Sequence, residues 1–171
     1  MRNELAKKTI PSLLSLLSQE YQFYKELEQL LIEERDCIVN MQNEELTNIN
    51  FKKESLLLNI LEIKNEREEI LNQISNYLNI KKDDISISFL LKTFPEYEKD
   101  FAEFKIKFKK IGQKIKSLND INKHILNSSL NFIKSSLNIF YQNSNRAVYT
   151  NFGKVRVNKS YMAKSSFSSK I

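Results

Sequence analysis

Residues 10–41 read IPSLLSLLSQEYQFYKELEQLLIEERDCIVNM, and their apolar spacing decides the fold. Ile10, Leu17, Tyr24, Leu31 and Ile38 recur every seven residues. A companion column runs Leu13, Glu20, Leu27, Glu34, Met41. The two columns interleave at spacings of about three and four, the seam of a helix that packs against another helix. Thr9 suits the N-cap region. Pro11 suits a first turn, where its missing N–H costs nothing. The spacing therefore predicts a helix over about 10–41.

A second seam follows at once. Ile49, Leu56, Ile63, Ile70 and Tyr77 form one column, and Leu46, Lys53, Ile60, Arg67 and Ile74 the other. The predicted helix covers about 45–78. Between the two lies the short polar stretch Gln42-Asn43-Glu44-Glu45. Connections this short join antiparallel neighbours. Facing residues of an antiparallel pair share a constant number sum, and 87 fits Leu27 with Ile60, Leu17 with Ile70 and Leu31 with Leu56. The same register sets Glu34 level with Lys53 and Glu20 level with Arg67. A lone charge in a seam is costly and an opposite charge across from it offsets that cost, so both pairs are expected to meet.

Residues 79–88, NIKKDDISIS, break the pattern. Asp83, Asp84 and Ser86 are all suitable caps for a short helix over about 86–94. Pro95 then opens a long helix over about 95–141, with acids in its first turn where the helix dipole favours them. Its stripe is Tyr97, Phe104, Ile111, Leu118, Ile125, Phe132 and Ile139. The companion column begins with Phe94, Phe101, Phe108 and Ile115 and continues with Asn122, Ser129 and Ser136. Gly112 inside the helix costs about 1 kcal/mol relative to Ala.

At 1.5 Å per residue the first helix spans about 48 Å and the third about 70 Å. The third helix should therefore outgrow the hairpin. Its last part carries a second apolar stripe: Leu126, Leu130, Ile133, Leu137 and Phe140. Either this stripe receives an amphipathic partner, or the tail, a second copy or a bend of the helix covers it. Residues 143–171, NSNRAVYTNFGKVRVNKSYMAKSSFSSKI, keep no period and read as a flexible basic tail. That tail either orders on a partner, with Val148, Tyr149, Phe152, Tyr161 or Phe167 as anchors, or has no role. The expected architecture is all-α: a helical hairpin, a short helix and a third long helix in one domain over 1–142, followed by the tail.

Composition agrees. The chain of 171 residues has only two Gly and two Pro, which leaves few turns. Its net charge of +6 divides into −2 over residues 1–120 and +8 over 121–171. The basic end suits an acidic protein, an anionic membrane surface or nucleic acid, but no DNA- or RNA-binding motif accompanies it. No apolar run approaches the roughly 18–20 residues that cross a bilayer. The first ten residues, MRNELAKKTI, lack the apolar core of a signal peptide, so a cytoplasmic protein is expected. Cys37 is the only cysteine and His124 the only histidine, so no Cys/His zinc set exists. Cys37 is expected to be a small buried group and His124 to be solvated. No phosphate-binding glycine loop, nucleophile elbow or calcium loop occurs. Neither catalysis nor a cofactor is expected.

The chain resembles the FlgN family of bacterial flagellar export chaperones. The resemblance is carried by the Leu-rich first helix, by Lys53-Glu54 before Leu56–Leu58, and by Arg67 further on. Its more specific part is SLNDINKHILNSSLNFIKSSLNIF, with Asn119 and Asn122 in an Asn-x-x-Asn step and Ser129-Leu130 after it. Tyr149 with Gly153 resembles an aromatic–glycine segment that follows that helix in the family. The likeness covers roughly 10–155. It implies a cytoplasmic protein that binds hook–filament junction proteins (FlgK- and FlgL-like), shields them from early assembly and hands them to the flagellar type III export gate. It places the contact at Asn119, Asn122, Leu126, Ser129, Leu130, Ile133, Leu137, Phe140, Tyr149 and Phe152. A monomer or weak homo-oligomer is expected. The alternatives are a self-associating helical scaffold and, more distantly, a nucleic-acid-associated helical protein.

Overall fold

The computed structural model describes the backbone of residues 2–144, 148–149 and 155–156 and the side chains of residues 8–139. Its order is α1 (Arg2–Val39), α2 (Asn43–Leu78), α3 (Ile87–Thr93), α4 (Glu98–Ser144), β1 (Val148–Tyr149) and β2 (Val155–Arg156). Single 3₁₀ turns at Lys82–Asp84 and Pro95–Tyr97 flank α3. By compactness the chain divides into Met1–Leu126 and Asn127–Ile171, so the division falls inside α4 rather than at residue 142.

In the first unit, α1 and α2 form the expected antiparallel hairpin in the expected register. Lys53 Nζ donates to Glu34 Oε1 at 2.7 Å, and Arg67 Nη1 stands 3.1 Å from Glu20 Oε2. Two apolar clusters bracket the Glu20–Arg67 layer. Ile10, Leu13, Leu17 and Ile74 meet Ile85, Leu90, Phe94 and Phe101 at the open end. Leu27, Leu31, Leu56 and Ile60 pack nearer the turn, with Ile115 and Leu118 of α4 against them. The segment from Ile85 to Phe94 thus caps the open end of the hairpin, and α4 then runs back towards its turn. Phe108 meets Tyr21 and Tyr24 edge-on at 6.1 and 6.0 Å, an arrangement aromatic rings favour.

Three boundaries differ from the sequence reading. α1 begins at Arg2, so Pro11 lies within a helix and not in its first turn. Proline removes one N–H and strains the preceding turn, but its φ is already helical. Ile10 and Leu13 are both fully buried beside it, which holds the helix through the break. At the other end α1 stops at Val39, and the connection is Asn40–Gln42, not 42–45. Met41 adopts φ 56° there, Gln42 N–H bonds to the Cys37 carbonyl at 3.0 Å and Met41 N–H to the Ile38 carbonyl at 3.4 Å. This is a Schellman closure with methionine where glycine is usual. Met41 is consequently exposed in the turn and is no seam residue. α2 ends the same way with Asn79 at φ 54°, a residue that tolerates the left-handed region better. Finally, the 3₁₀ turn at Pro95 delays α4 to Glu98. Of the three candidate caps for the short helix, Ser86 serves: its Oγ accepts from Phe89 N–H at 3.1 Å.

The second unit contains the last part of α4, and β1 pairs antiparallel with β2, Val148 opposite Arg156. Strands of two residues are too short to leave a period in the sequence. The rest of the 143–171 tail lies outside the described residues.

Candidate partner-binding face

Every fourth or third residue of late α4 is a large aliphatic side chain. At about 100° per residue Leu126, Leu130, Ile133 and Leu137 fall within an arc of about 60°. All four are exposed, between 43% and 51%. Phe132 and Ile139, read from the sequence as a continuation of the buried stripe, are more exposed still at 72% and 61%. They lie on the other side of the half-buried Ser129 and Ser136. This stretch of helix thus presents two aliphatic or aromatic ridges with a line of serines between them. Small residues permit a second helix to approach closely, and the ridges supply the apolar area it would bury.

The other proposed contact residues divide. Asn119 is exposed. Asn122 is 4% exposed, and its Nδ2 donates to the Leu31 carbonyl at 2.8 Å and to Glu34 Oε2 at 3.0 Å. It is committed to joining α4 to α1 and is withdrawn from the surface. The reason was visible in its position: it follows Phe101, Phe108 and Ile115 in the seam column. The backbone of Phe140 belongs to α4 and that of Tyr149 to β1, but their side chains lie outside the described residues, as does Phe152 altogether.

A further apolar face was missed by the sequence reading. Phe51, Leu57, Leu58 and Leu61 of α2 are each more than half exposed. Its signal was the run Leu56-Leu57-Leu58. Three consecutive helical residues cannot all face one core, and only Leu56 does. Between α1 and α2 beside this face lies an open groove of about 430 Å³ lined in part by Leu30, Lys52, Leu56 and Asn59.

The titratable groups are structural. Burial raises the Tyr24 phenol above its ordinary value, and the neighbouring Glu20 carboxylate, whose Oε1 accepts its hydrogen bond at 3.3 Å, raises it further. Glu28 is held below its ordinary value by the hydrogen bond from Lys114 of α4, and Glu68 likewise by Lys82. Burial pushes the Cys37 thiol up, which keeps it protonated and unreactive. His124 is exposed. Among the described residues no three His, Cys, Asp or Glu side chains converge as a metal site, and no helix is long and apolar enough to cross a membrane.

A helical bundle with an unpartnered apolar helix face belongs to the class of proteins that act by holding other proteins. A sequence model of the FlgN protein family matches residues 1–156. The chain belongs to the FlgN family, and so to the flagellar export chaperones, which are not an enzyme family. No curated protein and no solved structure matches the chain.

Proposed function

We propose that the protein is a cytoplasmic chaperone of hook–filament junction proteins, which it keeps from assembling early and presents to the flagellar type III export gate. The observation that carries this reading is the exposed stripe Leu126, Leu130, Ile133 and Leu137 on α4. Each buried side chain of that size contributes roughly 1.5–3 kcal/mol, so four of them and the adjoining Phe132 are an adequate anchor for an amphipathic segment of a client. A client segment so covered has no apolar face left for its own polymerising contacts. The net +8 of residues 121–171 would draw an acidic client surface towards this end and speed encounter. Asn119, Ser129 and Ser136 would fix register. Phe140, Tyr149 and Phe152 would extend the contact along the chain. Asn122 is left out of the contact set, because its amide already holds α1.

Co-expression with a hook–filament junction protein tests this. The two are expected to co-purify, and Leu130→Asp or Ile133→Asp should weaken binding by about tenfold or more, since each removes a buried anchor worth at least about 1.4 kcal/mol. The helical circular-dichroism signal of both variants should match the parent. Undiminished binding in both would remove late α4 from the interface.

A further inference from the structure

The exposed face of α2 has a shape and charge that match late α4. On α2 the apolar residues Phe51, Leu58 and Leu61 extend over about 15 Å, and on α4 Leu126 to Leu137 extend over about 16 Å, at 1.5 Å per residue. α2 carries seven acids against four bases, net −3, whereas residues 121–144 carry Lys123 and Lys134 and no acid. Laid antiparallel at a number sum of 188, Phe51 meets Leu137 and Leu58 meets Leu130. In the same register Glu54 falls level with Lys134. Glu54 stands among the apolar residues of the α2 face, and Lys134 directly follows Ile133 on the α4 stripe. Both are exposed, and neither has an ion-pair partner among the described residues.

We propose that a second copy of the chain covers these faces: α2 of one molecule receives late α4 of another, antiparallel, with Glu54 against Lys134. A helix laid on a helix in this way buries both apolar strips at once. It also removes from water a surface that would otherwise promote nonspecific association. Made twice about a two-fold axis, the contact closes a dimer; made once, it leaves one face of each kind free to continue. The pairing goes beyond the client-binding reading and does not rest on it.

Sedimentation of the full chain over a concentration series tests the contact, with no client present. The parent is expected to associate reversibly, more weakly at high salt. Leu58→Asp should weaken association about tenfold or more. Glu54→Lys and Lys134→Glu, each alone, set like charges together and should weaken it by about twofold to fivefold. The decisive sample is an equimolar mixture of these two single variants. The lysine introduced into one variant can then meet the glutamate introduced into the other, and the native Glu54 can meet the native Lys134. Association should therefore return to the parental level. A parent that stays monomeric throughout overturns the proposal and leaves the α2 face to a different protein. A mixture no stronger than its components also overturns it, by excluding this register.

Discussion

Phe101 and Phe132 stand on one helix, and both belong to columns that repeat every seven residues. Phe101 is 0% exposed and Phe132 72%. Through Ile111 the apolar positions of α4 are closed over by α1, α2 and the Ile85–Phe94 segment. At Phe132 and Ile139 the same spacing continues with the side chains in solvent. The lesson is that a heptad stripe records the intention to pack, not the partner. In the first unit the partner lies in the same chain. On late α4 the sequence keeps a stripe for which the described residues supply no cover, and this is what a protein that holds other proteins requires.

The strongest way to break the comparison is to truncate both rings. Phe101→Ala empties a fully enclosed position and should cost about 3–5 kcal/mol of folding stability. Phe132→Ala should change stability by no more than about 0.5 kcal/mol. Denaturant titration measures both. Equal losses would show that Phe132 is packed after all, and the case for an open face on late α4 would fall with it.

The inside of the hairpin offers the next test. Glu20 is buried, and its Oε2 and Arg67 Nε lack well-formed hydrogen bonds although the two side chains form an ion pair at 3.1 Å. The attraction is therefore chiefly one of charge, and Tyr24 provides the directed bond. Arg67→Glu would leave two carboxylates facing each other in the seam and should cost about 3–5 kcal/mol. Combining it with Glu20→Arg should recover a large part of the loss in the same titration. Failure to recover would mean that packing around Arg67, not its charge, holds this layer.

These residues also show what could be read in advance. The hairpin register was legible because the seam contains charged interruptions, and charges in a seam have to meet. Glu20 with Arg67 and Glu34 with Lys53 restrict the alignment more than any pair of leucines, since leucine tolerates several registers. The α2 face was harder to see because its leucines adjoin the core column and look like part of it. Asn122 misled in the opposite direction. An asparagine suggests a surface contact, yet its column position placed it inside, where it bonds to a main-chain carbonyl and to Glu34. Likeness to a family marked that residue as notable without saying which neighbour it serves. The helix ends were read least well, because Pro11 is held by neighbours on both sides and Met41 occupies a position where glycine would have announced the turn.

Met41 gives the smallest and cleanest test, because it lies far from both exposed faces in kind: it is a matter of backbone, not of area. At φ 56° a side chain crowds its own carbonyl, a conformation that costs roughly 1–2 kcal/mol for most residues and little for glycine. The Met41 side chain is 78% exposed, so its removal forfeits little packing. Glycine also gains more freedom in the unfolded chain, which offsets part of the relief. Met41→Gly should therefore raise stability by up to about 1 kcal/mol, seen as a later denaturation midpoint at unchanged slope, while leaving client binding and self-association as they were. A loss of stability would mean that the methionine side chain contributes contacts in solution that outweigh the strain of its turn.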